Sequence, residues 1–566
     1  MPEPLRLKKS NCRNCYKCIR HCPLKSIRFS EHQANIIPEE CILCGQCFVV
    51  CPQNAKEIRN DVASVRRLLR DNRPVIASIA PSFGANYGTD FKSIRKLCLR
   101  LGFTDAEETA IGAAIVKDSY LRLASESKQR VFITSCCHTI NLLIQKHYPG
   151  AIPCLAPVIS PMQAHARDLR ARFPGAAVVF IGPCISKKDE AEAYEGDVDA
   201  VLTFEEFTSW YTAEKLTLEP PEANLTRRNL PEADAGGRSR LFPVPGGILA
   251  SMGEPPEGFD LLSVDGIENC ISAIEDILSG ELTDVFIEMS ACTGSCIGGP
   301  AMDRTRKAPI RDSLIVRRAA GQSDFNYAQL PAKSMEKVFP AYPPRRLFFS
   351  ETSVNEILKK MGKTSPEHEL NCGSCGYGTC RDKARAVLSG KADLTMCLPF
   401  LKEKAESFSD LIIQNTPNGI FVLNESFRIQ QMNEAAMALL RIPEPADILG
   451  EPVDRILDPQ LFYEAFQEEK NIVDRCVYLA EYDRYVEETI LYDKSYHVLI
   501  CILRDVTDQS YAREKKEAIS RSAVEITEKV IEKQMRTVQE IASLLGETTA
   551  ETKIALTRLK ERIKDE

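Results

Sequence analysis

The sequence predicts a multidomain chain of mixed α+β and α/β class. Three observations predict it: a cysteine-dense N-terminal stretch with an internal repeat, a long middle region where short apolar runs alternate with helical patterns, and a cysteine-poor tail ending in apolar residues spaced at sevens. At roughly 150 residues per domain, the 566-residue chain should hold about four compact units. Shifts in composition divide it at 1–60, 61–345, 355–405, 406–508 and 509–566.

Composition limits the function classes. There are 22 cysteines, and they call for disulfides or metal. A disulfide scaffold belongs to short secreted chains. Here Met1–Ser10 is polar and no segment approaches the roughly 18 continuous apolar residues of a membrane span, so the chain reads as cytoplasmic, with no membrane partner. In a reducing compartment clustered cysteines are metal ligands or catalytic thiols first. A net charge of −7 and an isoelectric point near 5.8 give no electrostatic footing for nucleic acid.

Residues 1–60 carry Cys12-x2-Cys15-x2-Cys18-x3-Cys22-Pro23, repeated as Cys41-x2-Cys44-x2-Cys47-x3-Cys51-Pro52. This is the bacterial ferredoxin run for two [4Fe-4S] clusters. Tight spacing lets one loop reach three irons of a cube, while the thiolate before proline crosses to the other cluster. Cys12, Cys15, Cys18 and Cys51 thus form one ligand set, and Cys41, Cys44, Cys47 and Cys22 the other. Zinc knuckles compete, but the duplication and both Cys-Pro pairs count against them. Ten Lys and Arg against five Asp and Glu in this stretch offset anionic clusters without implying DNA. Paired clusters pass single electrons, so a ferredoxin-like electron partner is expected.

In residues 61–345, Val75–Ala80, Val131–Thr134 and Ala177–Gly182 are apolar runs, each followed by a helical stretch. That alternation predicts an α/β region with partly parallel sheets. Residues 215–246, rich in Pro, Gly and charge, read as an excursion loop, and Pro331–Arg346 as an interdomain linker. Three cysteine segments lie between: Thr134-Ser-Cys136-Cys137-His138, Gly182-Pro-Cys184-Ile-Ser-Lys187, and Phe286-Ile-Glu-Met-Ser-Ala-Cys292-x3-Cys296. With Ala80-Pro81-Ser82, Ser160-Pro161 and Asp199–Thr203, they resemble the signature segments of the [FeFe]-hydrogenase catalytic domain, over about residues 1–310.

The resemblance implies an H-cluster: a [4Fe-4S] cube on Cys137, Cys184, Cys292 and Cys296, bridged through Cys296 to a diiron centre carrying CO, cyanide and an azadithiolate. It implies that Lys187 bonds one cyanide and that Pro81 and Ser82 surround the other, with Ser160 and Ser290 also counted as cofactor-binding. Cys136 would relay a proton from the bridging amine, making H2 and protons the substrates, with Cys136 and Lys187 as catalytic residues. On the residues alone Cys136 is a buried small hydrophobe, the usual fate of a free cysteine.

Departures from the family pattern carry their own expectations. His138 stands where typical members have proline and reads as structural. Gly182 and Ser290 replace two methionines that pack against the diiron site, which implies a looser, more polar pocket. Ser119 and Leu123 stand where two glutamates normally carry protons outward, and leucine cannot relay one. Slow turnover is expected, as in the sensory branch of the family.

Residues 355–405 contain Cys372-x2-Cys375-x4-Cys380-x16-Cys397, four further ligands, with Gly373, Gly376 and Gly378 allowing close backbone approach to sulfides. The patch resembles the small iron–sulfur domain of corrinoid proteins and electron-transport subunits, with a four-cysteine zinc site as rival. Cys98, Cys154, Cys270, Cys476 and Cys501 are left as packing residues. In residues 406–508, Asn418–Glu425, Arg428–Ala436 with its Asn433-x-Ala turn, and the exit Asp505-Val-Thr resemble a PAS sensory domain. His497 reads as structural within an alternating strand, and no ligand is assigned. In 509–566, Val524, Ile531, Val538, Leu545 and Leu559 recur at sevens beside Met535, Ala542, Leu556 and Ile563, a coiled-coil pattern with Gly546 as a break. A single amphipathic helix packed on its own domain is the alternative.

These parts predict an iron–sulfur oxidoreductase of [FeFe]-hydrogenase type and low activity, which signals H2 or redox state through its PAS domain. The PAS and coiled-coil segments predict a homodimer. With no kinase, cyclase or DNA-binding signature after residue 508, the output passes to a separate protein of kinase or phosphatase class. The alternatives are a metabolic, ferredoxin-linked hydrogenase and an iron–sulfur assembly protein of hydrogenase-like fold without the diiron site.

Overall fold

The computed structural model describes residues 3–564 apart from 72, 220–236, 255, 304–307, 346, 495 and 546–548. It divides into two compact units, Met1–Phe400 and Leu401–Glu566.

The repeat of the N-terminal sequence is also a repeat of its backbone. Leu5–Leu7 pairs antiparallel with Lys56–Ile58, and Ile27–Ser30 with Gln33–Ile36. A one-turn helix begins two residues after the second cysteine of each run, Lys17–Arg20 and Gln46–Val49. Left-handed residues recur at matching places, Asn14 and Leu43, Tyr16 and Gly45, Lys25 and Asn54. The loops therefore curl alike, and the N–H groups of Ser26, Leu43 and Ala55 reach cysteine sulfurs at 3.3, 3.4 and 3.3 Å. Such curled loops favour anions.

The middle region builds two parallel sheets. One runs Asp105–Glu108, Val75–Ile79, Ala177–Gly182, Ala200–Thr203; the other runs Asp260–Asp265, Val285–Ser290, Val131–Ile133. Val75–Ile79 and Ala177–Gly182 are buried at every position, as a sheet covered on both faces requires. Helices Ala110–Glu126 and Pro161–Arg172 cross at Gly112, where a Cβ would overlap the Pro161 carbonyl oxygen.

Two segments expected to be loose are packed. In Pro331–Arg346, Met335 and Phe339 are buried, and the Met335 carbonyl accepts from Ile159 N at 2.9 Å. A proline-rich run has no helix or strand period, so its tertiary anchors leave no local signal. Residues 237–246 of the expected excursion loop also pack, with a short 3-10 turn at Arg238–Leu241 and Val244 buried. Residues 220–236 of that loop lie outside the described residues.

Helices Glu351–Lys360 and Cys380–Leu388 are capped by the side chains of Ser350 and Thr379 and pack through Val354, Leu358 and Ala384. This module shares a hydrophobic cluster with the N-terminal stretch: Ile19, Ile27 and Phe29 pack with Tyr377, Ala386 and Met396.

The second unit holds a five-stranded antiparallel sheet in the order Ile429–Met432, Gly419–Asn424, Val498–Asp505, Arg484–Asp493, Ile472–Leu479. Buried Asn433 accepts from Ile420 N and Ala436 N at 2.8 and 2.9 Å, and donates to the carbonyls of Ile413 and Asn418 at 2.7 and 2.9 Å. It ties strand, turn and incoming helix together. His497 is not a strand residue: it sits exposed in the turn before Val498, with φ at 53°. Helix Thr507–Leu545 leaves the sheet, and Thr549–Lys564 folds back along it, with Lys560 and Glu528 3.5 Å apart. Val524, Ile531, Met535, Val538 and Leu556 are half-buried in this pair, so much of the sevens seam closes within one chain. Gly546 lies outside the described residues. Ile519, Ile526, Val530 and Ile541 form a second, exposed apolar row.

Candidate functional site

The cysteine segments of the middle region all follow the carboxyl ends of parallel strands. Cys136 and Cys137 come after Val131–Ile133, Cys184 after Ala177–Gly182, Cys292 after Val285–Ser290, and Pro81 and Ser82 after Val75–Ile79. Parallel sheets open a crevice at that edge, and both sheets deliver their loops to it. The thiols of Cys137, Cys184, Cys292 and Cys296 lie within electrostatic reach of one another. Burial, with these neighbours adding to it, pushes Cys292 well above the ordinary thiol range and raises Cys137. Cys296 is exposed, whereas Cys137, Cys184 and Cys292 are half-buried. Thiols gathered this closely become thiolates when a metal replaces their protons.

Around them stands a polar network. The Cys136 thiol meets Tyr120 Oη at 3.1 Å, and Tyr120 Oη in turn accepts from Ser135 N at 2.9 Å. Burial pushes the Cys136 thiol up to about 12, against smaller opposing pulls from Tyr120 and Lys187, so it stays protonated. Lys187 Nζ donates to the Cys136 carbonyl at 3.0 Å and pairs with Glu190 at 2.5 Å. Burial works against the Glu190 charge, yet Lys187 and Lys337 hold its carboxyl well below the usual range. Lys337 comes from the strap at Pro331–Arg346 and pairs with Glu190 at 2.5 Å.

Ser160 donates to Glu190 at 3.1 Å and caps helix Pro161–Arg172, which places it behind Lys187. His138 is buried, with Nε2 2.8 Å from Asp189. Burial lowers its pKa, favouring neutral imidazole. Ser82 Oγ and Ser295 Oγ are buried without a hydrogen-bond partner. The four thiols, the unused Ser82 hydroxyl and the third N–H of Lys187 fit a metal group with anionic ligands.

Gly182 does not leave the space expected of it: a Cβ there would meet the Phe180 ring at 2.7 Å and Ala80 at 3.1 Å. The glycine makes room for an aromatic ring. Ser290, half-buried at the end of its strand, accepts through its carbonyl from Gly266 N at 2.9 Å. Ser119 spends its hydroxyl on the Ile115 carbonyl at 3.1 Å, and Leu123 packs in an apolar cluster.

Twelve of the other cysteines gather in three groups. Cys18 feels the charges of Cys12, Cys15 and Cys51, whereas Cys47 feels Cys44, Cys41 and Cys22. Cys22, Cys41, Cys44 and Cys47 line one small cavity, and Cys372, Cys375, Cys380 and Cys397 line another. Buried Lys383 faces Cys375 and Cys397, and burial lowers its ammonium to about 8. Of the cysteines set aside, Cys98, Cys270 and Cys501 are buried, but Cys154 is half-buried and Cys476 is exposed on its strand. A packing role does not fit Cys476.

Sequence reasoning missed Tyr120 and Glu288. Glu288 is buried in strand Val285–Ser290 and accepts from Ile248 N at 2.9 Å and Leu249 N at 3.2 Å, with its other oxygen unpartnered. Burial raises its carboxyl to about 7. Its signal was visible: one acid in the otherwise apolar run Val285–Met289.

Comparison with known proteins follows the same divisions. Residues 73–300 match the iron only hydrogenase large subunit, C-terminal domain, residues 5–64 a 4Fe-4S dicluster domain, residues 369–399 a family described as a Fe-S cluster domain, and residues 407–476 a PAS domain. The chain is an [FeFe]-hydrogenase-like protein with a PAS domain. Among its relatives, the NADP-reducing hydrogenase subunit HndD of Solidesulfovibrio fructosivorans is 24% identical over 339 residues, 47% of this chain and 56% of that one. A component of the ion-translocating oxidoreductase complex of Methanosarcina acetivorans is 46% identical over 48 residues, 8% of this chain and 18% of that one. This hydrogenase-like chain thus spans about half, or less, of these relatives' length. Among solved structures, the [FeFe]-hydrogenase HydA1 of Chlamydomonas reinhardtii aligns at 17% identity over 50% of this chain and 100% of that one, with a TM-score of 0.40. No helix among the described residues of the hydrogenase-like protein is long and apolar enough to cross a membrane.

Proposed function

We propose that this protein binds H2 and slowly oxidises it, or reduces protons, at an H-cluster, and reports H2 or redox state to a separate protein. The observation that supports this best is the convergence of Cys137, Cys184, Cys292 and Cys296 beside the Cys136 thiol and Lys187. When bound, the diiron group with its CO, cyanide and azadithiolate supplies the H2-binding metal and an amine base.

The chain's own residues divide the remaining tasks. Cys137, Cys184, Cys292 and Cys296 would hold the cube, and Cys296 would also link it to the diiron group. Lys187 and Ser82 would donate to the anionic ligands, Pro81 and Ser290 would line the same site, and Ser160 steadies Lys187 through Glu190. Cys136 holds a proton at Sγ, oriented by Tyr120. The spent Ser119 hydroxyl and apolar Leu123 support slow proton exchange, and with it sensing over turnover. Cys12, Cys15, Cys18 and Cys51, and Cys22, Cys41, Cys44 and Cys47, would hold two ferredoxin-like [4Fe-4S] clusters that would supply single-electron transfer with the H-cluster, and Cys372, Cys375, Cys380 and Cys397 would hold a fourth cluster. The PAS domain and helical pair signal from a cytoplasmic homodimer to a kinase- or phosphatase-class partner.

Infrared spectroscopy of protein loaded with the diiron group tests the reading. CO and cyanide bands that respond to H2 are expected. Cys137→Ala and Cys296→Ala should lose them, and intact bands in either variant would overturn the assignment. Hydrogen evolution as fast as that of turnover enzymes would overturn the sensory role.

A further inference from the structure

The duplicated N-terminal loops contain their own control. Lys25 and Asn54 occupy matching places, three residues after Cys22 and Cys51, and take the same left-handed backbone, φ 50° and 49°. Asparagine is favoured in that conformation and lysine is not. Ser26 N and Ala55 N reach the preceding cysteine sulfurs equally, at 3.3 Å, so the turn does not require lysine.

Lys25 differs from Asn54 in where its side chain is held. Its ammonium donates to the carbonyls of Ile19 and Arg20, 3.1 Å each, at the end of helix Lys17–Arg20. That helix end is where the 372–397 module docks. A Cβ on Gly376 would press on Ile19 at 2.9 Å, Arg20 donates to the Ser374 carbonyl at 3.1 Å, and Phe29 N donates to the Lys391 carbonyl at 2.7 Å. Lys391 pairs with Glu40 at 2.5 Å. The ammonium thus lies within electrostatic reach of Cys22 and Cys375 together, and Glu268 and Asp382 also face it. Lys56 stands similarly by Cys18 and Cys47, and Lys383 by Cys375 and Cys397. Lys25 lies near a cysteine of each of the two modules.

From this geometry we infer that Lys25 is a positioning charge shared by two cluster sites, that of Cys22, Cys41, Cys44 and Cys47 and that of Cys372, Cys375, Cys380 and Cys397, and that it raises the reduction potential of both. The inference rests on the reading of these eight cysteines as [4Fe-4S] ligands. It ties the 372–397 site to the N-terminal domain. The N-terminal set also approaches the middle region, where Cys44 interacts electrostatically with Cys292 and Gly45 packs against Pro300 and Ile185. A four-thiolate cluster becomes more negative on reduction, so a fixed cation nearby favours the reduced form. Removing that cation also takes away the positive charge on which Asp382 and Glu268 act.

The test is an EPR redox titration of the full-length, cluster-loaded chain carrying Lys25→Gln or Lys25→Arg, with each signal assigned from Cys41→Ser and Cys380→Ser variants. Glutamine can still donate to the Ile19 and Arg20 carbonyls but carries no charge. In Lys25→Gln both potentials should fall together, and Lys25→Arg should restore them. A loaded Lys25→Gln protein in which one or both potentials stay put overturns the role of Lys25, as does an arginine variant that behaves like glutamine. Iron and sulfide analysis showing no cluster on Cys372–Cys397 refutes the ligand assignment itself, and the inference with it.

Discussion

Glu288 shows how one buried side chain makes stability depend on pH. Its carboxyl is raised to about 7 by burial, so the folded chain holds a proton that the unfolded chain releases near 4.5. The stabilisation is complete below about pH 4.5 and is lost as pH rises through about 7, a change of roughly 3 kcal/mol at about 1.4 kcal/mol per unit. Glu288→Gln keeps an acceptor for Ile248 and Leu249 and should flatten that slope. Anaerobic melting from pH 5 to 8 checks it, and an unchanged slope in the variant would show that another group titrates. The N-terminal and 372–397 cysteine groups were legible at this scale because their spacing is local in sequence. Tyr120 and Lys337 were not, since each reaches its partner from a distant segment and nothing near it in sequence marks the contact.

Close backbone approach governs the elements. Helices Ala110–Glu126 and Pro161–Arg172 cross where Gly112 has no room for a methyl group, and the second helix begins at Ser160, which contacts Glu190. Gly112→Ala should therefore destabilise by about 1–3 kcal/mol and loosen the Glu190 network, read as a lower melting temperature. An unchanged melting temperature would mean that the helices slide apart freely. In the PAS sheet, Asn433→Ala removes four hydrogen bonds at a buried position. Leaving buried backbone groups unpaired costs about 1–3 kcal/mol each, so local unfolding of residues 407–505 should become detectable by hydrogen exchange. Protection equal to the parent's would contradict that account. The β runs and helical stretches were readable in sequence as periodicity, whereas Pro331–Arg346 has none and its anchoring was invisible.

At the scale of the whole molecule, the helical tail carries exposed apolar surface that tests the proposed homodimer. Much of the sevens seam is used between Thr507–Leu545 and Thr549–Lys564, and Ile519, Ile526, Val530 and Ile541 form an exposed apolar row among the described residues. Ile526→Glu with Val530→Glu should give monomers with intact helices by light scattering and circular dichroism. Ile531→Glu should instead disrupt the helical pair. Dimers that persist in the double variant would move the interface to the PAS sheet or exclude it from the tail.

The family resemblance and the division into ferredoxin-like, hydrogenase-like, small iron–sulfur and PAS parts were present in the chain as written, because clustered cysteines and strand–helix alternation are short-range patterns. Folding decided which loops share a crevice, that a proline strap supplies Lys337 to Glu190, and that Phe180 fills the space beside Gly182. It also decided that the 372–397 module packs on the N-terminal domain. Each of these joins residues far apart in sequence through packing and unscreened charge, and neither leaves a period or a spacing to read.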